Sequence, residues 1–382
     1  MYSEVFYCPK DFNFWEMMIL YEEKFMKRAI ELALKGEGKV NPNPKVGAVI
    51  VKDGKIISEG YHMKYGGFHA ERNAILSCSD KEALKGAVLY VTLEPCCHYG
   101  KTPPCTEIII EGGIGEVVIG SRDPNPLVAG KGANILRENG IKVTEDFMRE
   151  ECDSINSVFF HYITHKTPYV VMKYAMTIDG KIATVTGKSQ WITNEKSRKS
   201  VHSLRNNLMG IMAGMGTVKS DNPMLNCRIE NGRNPVRIIC DSHLNISEES
   251  NIVKTAKDIK TIIACCNKEN KKAEILENAD CEVLEVNEKD GFVDLKNLME
   301  ILGQKGIDSI LLEGGGELNY SALKAGIVNE VNVYVGPVIL GGKAKTPVGG
   351  AGIEEVRDAF KFKLCKTDII DGDVLLTYKK EG

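Results

Sequence analysis

Apolar residues recur at helical spacing over Glu22–Lys35 (EEKFMKRAIELALK), where Phe25, Ala29, Leu32 and Ala33 share one side. The spacing predicts an amphipathic helix that stops at Gly36–Gly38. Beyond the Pro/Asn loop NPNPKVG the period shortens. Strands are expected at Val46–Val51, Lys55–Ser58, Val88–Leu93, Val117–Ser121 and Ile141–Thr144, the first two separated by the turn Asp53-Gly54. Helical pieces at His69–Cys78, Thr106–Gly112 and Ala133–Asn139 alternate with them. This is the sequence form of a three-layer α/β/α sandwich with a partly parallel sheet, closing near residue 145.

Residues 146–166 read as a connecting helix or linker ending in the turn-prone HKTP. A second alternating series follows, with strands at Tyr169–Tyr174, Leu208–Ala213, Val236–Cys240, Thr261–Cys265, Ser309–Leu312, Glu330–Val335 and Val374–Tyr378. Its helices are expected near 194–207, 293–304 and 317–325. The organisation predicted is one domain over 21–145, a connector over 146–166 and a second α/β domain over 167–382. Residues 1–20 show no clear period. They read as a tail, or as an upstream start with Met17 or Met18 the true beginning.

Composition narrows the class. The 382 residues suit two or three domains, and 43% hydrophobic with 26% charged residues is an ordinary globular balance. A net charge of −3 supplies no global basic field, so nucleic acid is not an expected partner. No uninterrupted apolar stretch of about 18 residues marks a membrane span, and the N-terminus lacks the pattern of a secretory signal. A cytoplasmic location follows as the default. The 12 cysteines then read as reduced thiols, some able to bind metal.

The candidate chemistry lies in the first half. His69-Ala70-Glu71 opens a helix, and LEPCCHYGKTPPC follows the strand Val88–Leu93 and ends at Cys105. This approaches the H-x-E … P-C-x-x-C pattern of zinc nucleobase deaminases. One imidazole and two thiolates give three ligands to a tetrahedral Zn²⁺, with a fourth position open to water. Zinc lowers the pKa of that water, giving hydroxide as nucleophile, and Glu71 stands two residues from the first ligand as a proton carrier. Cys105 is expected at a helix N-terminus, where the dipole favours thiolate. Eight residues rather than two separate Cys96 from Cys105, so Cys97 and His98 compete as ligands; Cys96 is preferred because it directly follows Pro95. A closed structural zinc site would leave Glu71 unexplained.

Segments NPNPKVGAVIVKDG, HAE, YVTLEPCCHYGKTPPC and RDPNPLVAGKG, between Asn41 and Gly130, resemble the deaminase half of the bifunctional riboflavin-biosynthesis deaminase/reductase family. The lengthened inter-cysteine loop is that family's own pattern. The resemblance implies a cytidine-deaminase-like sandwich with zinc on His69, Cys96 and Cys105, Glu71 as proton shuttle, and substrate contacts from Asn43, His62, His98 and Lys101. Lys101, in a polar loop, suits a substrate phosphate.

In the second half, SILLEGGGELNYSAL places three glycines between a strand and a helix, an arrangement open to a phosphate but equally to a plain tight turn. The G-x-G-x-x-G fingerprint is absent. KYAMTIDGKIATVTGKSQWIT, GTVKSDNPMLNCR and VRIICDS extend the resemblance over nearly all of 168–380, to the family's dihydrofolate-reductase-like domain. It implies NADPH contacts from Ala175, Trp191, Thr217, Asp221, Ser242 and the loop Gly315, Gly316, Glu317, Leu318, Asn319, Tyr320 and Ser321. It implies substrate contacts from Ser189, Arg205, Leu225, Arg228 and Glu313, with Arg205 and Arg228 as forked cations for a ribose 5-phosphate. Lys173 and Asp179 are read as ordering residues, Trp191 equally as core. His161, His165, His202 and His243 show no usable partner spacing.

The activity implied is zinc-hydroxide deamination of 2,5-diamino-6-(5-phosphoribosylamino)pyrimidin-4-one, then NADPH reduction of the ribosyl to a ribityl chain, by an expected homo-oligomer. The competing readings are a nucleoside or tRNA deaminase with a degenerate second domain, and a zinc-stabilised binding module without catalysis.

Overall fold

A computed structural model describes residues 14–100, 102–125 and 128–381. The chain divides into two compact units, Met1–Thr164 and His165–Gly382. In the first, the elements are α1 (Phe14–Leu34), β1 (Gly47–Lys52), β2 (Lys55–Tyr61), α2 (Ala70–Ser77), β3 (Val88–Leu93), α3 (Cys105–Glu111), β4 (Glu116–Ser121), α4 (Lys131–Glu138), β5 (Lys142–Thr144), α5 (Arg149–Ser154) and α6 (Ser157–His165). The first helix thus begins at Phe14, eight residues before the periodicity indicates, and residues 1–13 of the expected tail lie outside the described residues.

The five strands run in the order β2-β1-β3-β4-β5, with β1 antiparallel to β2 and β3, and β3, β4 and β5 parallel. Side-chain alternation decides the layers. Ala48, Ile50, Leu89, Val91, Val117 and Ile119 pack with residues of α2, α3 and α4 on one face. Val49, Val51, Tyr90 and Val118 pack with α1 and with Cys152 of α5 on the other. The result is a three-layer sandwich whose inner strands β1, β3 and β4 read as nearly continuous apolar runs because both faces are covered.

The second unit contains β6 (Tyr169–Thr177), α7 (Glu195–Asn207), β7 (Gly210–Gly214), α8 (Met215–Asp221), β8 (Val236–Cys240), α9 (Asn251–Lys254), β9 (Thr261–Cys265), α10 (Lys271–Asn278), β10 (Cys281–Glu285), a small ribbon β11 (Glu288–Lys289) and β12 (Phe292–Val293), α11 (Leu295–Gln304), β13 (Ser309–Leu312), α12 (Gly316–Lys324), β14 (Val328–Gly336), β15 (Phe362–Ile370) and β16 (Asp373–Lys380). Its nine-stranded sheet has the order β10-β9-β8-β7-β13-β6-β14-β16-β15. All neighbours are parallel except β14/β16 and β16/β15. Seven elements among the described residues are not expected from periodicity: α8, α9, α10, β10, β11, β12 and β15. The last is an edge strand whose outward residues are mostly exposed, so its alternation carries lysines and an aspartate. No helix of the described residues is long and apolar enough to cross a membrane.

Candidate functional site

Three short elements deliver the metal-binding atoms. His69 is the N-cap of α2 with extended backbone, which leaves Glu71 in the first turn of that helix. Cys96 follows the end of β3 through Pro95, and Cys105 is the first residue of α3. His69 Nδ1 stands 3.5 Å from Sγ of Cys96 and 3.5 Å from Sγ of Cys105. A tetrahedral zinc with Zn–N of about 2.0–2.1 Å and Zn–S of about 2.3 Å requires N···S separations of about 3.5 Å. The donor set therefore fits zinc, and three protein ligands leave one corner open. Cys97 and His98, which competed on sequence grounds, are outside this cluster; it is the one such group among the described residues.

Hydrogen bonding from Cys105 brings the Cys96 thiol down to about 4 against the cost of burial, and His69 adds to the shift. The same contact with Cys96, then burial, pushes the Cys105 thiol up in the absence of a metal. Glu71 is 3% exposed. Burial, followed by the Cys96 charge, pushes its carboxyl up to about 7.

His69, Glu71 and Cys96 line a cleft of about 250 Å³ that also takes in Asn43, His62 and His98. His62 Nδ1 lies 2.9 Å from the Phe68 carbonyl and its Nε2 lies 3.2 Å from Asn43 Nδ2, so the carbonyl fixes the proton on Nδ1 and Asn43 donates to Nε2. His98 lines the cleft, and its Nδ1 is buried without a hydrogen-bond partner among the described residues. Lys101 lies outside the described residues.

Asp123 and Asn125, from the RDPNP string that carries part of the resemblance, also line the cleft. Asp123 Oδ1 accepts from Asn125 N at 2.8 Å. Burial pushes its carboxyl up to about 6. Beneath them the Glu94 carboxylate accepts from the backbone N–H groups of Asp123, Gly130 and Ala133, tying the loop to the start of α4.

In the second unit most of the assigned residues cluster at the carboxyl ends of parallel strands, where open α/β sheets bind ligands. Ala175 lies on β6, Thr217 and Asp221 in α8 after β7, Ser242 after β8 and Glu313 after β13. Gly315 approaches Thr217, whose Oγ1 would be 3.8 Å from a Cβ at that glycine, and Gly315 caps α12 with no side-chain bond to the helix N–H groups. At Gly314 a Cβ would stand 2.7 Å from Asn319 Oδ1, itself buried and without a partner among the described residues. This uncapped, side-chain-free turn fits a dinucleotide phosphate. Further along the loop, Glu317 Oε1 accepts from Gly350 N and Tyr320 donates to the Gly352 carbonyl. Leu318 packs on the core, and Ser321 is exposed.

Arg205 and Glu313 meet in two parallel bonds, Nε–Oε1 and Nη2–Oε2, both 2.8 Å, with side chains only 13% and 14% exposed. Arg205 Nη1 also donates to the Asn226 carbonyl, beside buried Leu225. Burial raises the Glu313 pKa, but Arg205, Lys173 and His202 together outweigh it and hold the carboxyl down to about 2. His202, which sequence spacing left without a role, is 3.1 Å from Arg228 Nε. Burial, then Arg205 and Arg228, depress it to about 4. Trp191 is 65% exposed with the Arg198 guanidinium 4.3 Å over its ring, which removes the core alternative. Ser189 is exposed, and Ser242 Oγ accepts from Val293 N. Asp179 joins the end of β6 to a neighbouring loop by accepting from Thr177 Oγ1 and from the N–H groups of Leu340 and Gly341.

The family model for the cytidine and deoxycytidylate deaminase zinc-binding region matches residues 21–121, and that for the RibD C-terminal domain matches 168–376. The riboflavin biosynthesis protein RibD of Actinobacillus pleuropneumoniae is 54% identical over 355 residues, covering 93% of this chain and 94% of its own length. That of Escherichia coli K12 is 36% identical over 370 residues, covering 94% and 99%. Among solved structures, the diaminohydroxyphosphoribosylaminopyrimidine deaminase/5-amino-6-(5-phosphoribosylamino)uracil reductase of Thermotoga maritima is similar at a TM-score of 0.85 and 40% identity, covering 95% of this chain and 99% of that one. Acinetobacter baumannii RibD gives 0.85 at 33% identity, covering 95% and 100%.

Proposed function

Because the chain belongs to the RibD family of bifunctional riboflavin-biosynthesis enzymes, a zinc deaminase joined to an NADPH-dependent reductase, we propose which of its residues carry each step. The competing readings, a lone deaminase with a degenerate second domain or a zinc-stabilised binding module, are not favoured, since matches span both units.

His69, Cys96 and Cys105 hold the zinc, which when bound makes water nucleophilic near neutral pH. The observation carrying this assignment is the pair of 3.5 Å separations from His69 Nδ1 to the two sulfurs. Glu71 takes a proton from the attacking water and passes it to the pyrimidine ring nitrogen as the C–O bond forms. It then relays the second proton to the amino nitrogen, and the C–N bond breaks to release ammonia. Asn43, His62 and His98 orient the heterocycle, together with Asp123 and Asn125, and Lys101 meets the phosphate.

In the second unit NADPH, when bound, would supply a hydride to C1′ of the ribosylamine, with the C1′–O4′ ring bond broken and a proton taken up by O4′ to give the open ribityl chain. The turn at 314–316 and the start of α12 receive its phosphates, with Ala175, Trp191, Thr217, Asp221, Ser242 and the remainder of the loop to Ser321 completing the cofactor site. Arg205 is committed to Glu313, so it holds that carboxylate at the site rather than gripping the phosphate. Arg228 is exposed, and its terminal nitrogens make no bond among the described residues, which suits the 5-phosphate. Ser189 and Leu225 complete the substrate side.

Glu71→Gln tests the assignment. Ammonia release from the phosphoribosyl diaminopyrimidine should fall by about 10²–10⁴ with zinc retained, while NADPH oxidation with the deaminated compound continues. Ammonia release near the wild-type rate would remove Glu71 from the mechanism.

The family reading also supports a homo-oligomer in the cytoplasm. The outer edge of β15 is unpaired within the described residues and exposes Leu364 and Ile369. No disulfide joins the described cysteines, which suits a reducing compartment. Light scattering at a single-chain mass of 42.1 kDa would contradict self-association.

A further inference from the structure

The segment after β5 reads from sequence as a linker and lies beyond the 21–121 family match, yet it is built into the first unit. Cys152 of α5 is 0% exposed in the core formed with Phe25, Tyr90 and Val118. It packs so closely on β4 that a Cβ at Gly120 would stand 2.4 Å from its sulfur. Four residues later Asn156, 2% exposed, satisfies both ends of its amide on one distant residue. Its Oδ1 accepts from Lys45 N at 2.8 Å, and its Nδ2 donates to Lys45 O at 2.9 Å. Lys45 stands two residues after Asn43, whose amide meets His62 in the cleft. One turn of α6 further on, the ring of Phe159 lines the same cleft as His62, Glu71 and Cys96.

We propose that this connecting segment forms a wall of the deaminase cleft, with Asn156 a positioning residue for the Asn41–Lys45 loop and Phe159 a contact for the face of the substrate pyrimidine. The inference rests on the cleft being the deamination site. A planar heterocycle needs polar partners at its edges and an apolar surface over its face. Asn43, His98, Asp123 and Asn125 supply the edges. Phe159 and Tyr65 are the carbocyclic aromatic rings in the lining, and Tyr65 is 46% exposed. Phe159 is half-buried, braced against the sandwich core and 5.9 Å from the Phe160 ring, so its orientation is fixed before substrate arrives.

The test uses the full chain. Phe159→Leu retains apolar volume and removes the ring; Phe159→Tyr retains the ring. For deamination of the phosphoribosyl diaminopyrimidine, Phe159→Leu should raise KM about five- to tenfold with kcat within about twofold. Zinc content and NADPH oxidation with the deaminated compound should match wild type, and Phe159→Tyr should restore KM. Asn156→Ala should also raise KM, and its effect should not add to that of Asn43→Ala, since both act through one loop. An unchanged KM in Phe159→Leu overturns the proposal, as does loss of zinc in that variant, which would make the ring structural. If Glu71→Gln retains full activity, the site itself is misplaced. If Glu71→Gln is inactive while Phe159→Leu keeps a normal KM, only the wall is refuted.

Discussion

Asp123 in the first unit and Glu313 in the second are both carboxylates removed from water, and they are driven in opposite directions. Asp123 has backbone N–H neighbours but no ion pair among the described residues, so burial decides, and its carboxyl is held up to about 6. Glu313 suffers the same burial but faces Arg205, Lys173 and His202, which bring it down to about 2. The contrast extends to the sites around them. The deaminase cleft is lined by His98, whose Nδ1 has no partner among the described residues, whereas the reductase site binds Arg205 and Glu313 to one another before any ligand arrives. A site of the first kind recognises ligand by filling vacancies. One of the second kind holds a rigid charged frame, at the risk that losing either partner strands the other.

That risk gives the larger of two stability predictions. Arg205→Leu removes the bidentate partner of Glu313 and leaves a mostly buried carboxylate beside Lys173. The second unit should lose about 3–5 kcal/mol. In calorimetry of the full chain, the transition raised by NADPH should fall while the one raised by zinc does not. A loss under about 1 kcal/mol, or equal losses in both transitions, would end the contrast.

The two sites also differ in how far sequence exposes them. His69, Glu71, Cys96 and Cys105 lie within one short stretch, and each residue type has a spacing that only a metal site explains. The expected bounds of β3, β8, β9 and β13 coincide with the observed strands, because burial on both faces writes a mostly apolar run in which buried Arg237 of β8 is the one charged residue. Strand β15 was missed for the opposite reason: Lys363, Lys366 and Asp368 interrupt it where it faces solvent. Long-range pairs leave no local pattern. Arg205 and Glu313 are 108 residues apart and Asn156 and Lys45 are 111 apart, so neither bond is written in any window of sequence. His202 looked incidental because its partner Arg228 comes from another segment, 26 residues on. The reductase residues were available only through resemblance, since strand-end loops gather them from 175 to 321.

Acid titration sharpens the carboxylate contrast at smaller energy. Glu313 has a folded pKa of about 2, below its ordinary 4.5. Its contribution is therefore present above about pH 4.5 and is lost as pH falls toward 2. Asp123 has a folded pKa of about 6, above its ordinary 3.8, so the folded state binds the extra proton and its ionisation costs stability as pH rises from 3.8 to 6. Each effect is on the order of 1–3 kcal/mol at most. Comparing wild type with Asp123→Asn, the variant's relative stability should grow between pH 3.8 and 6. Comparing wild type with Glu313→Gln, the wild-type advantage should shrink below pH 4.5. Curves that bend the same way would mean that the cations around Glu313 do not outweigh its burial, and the two carboxylates would then be one case rather than two.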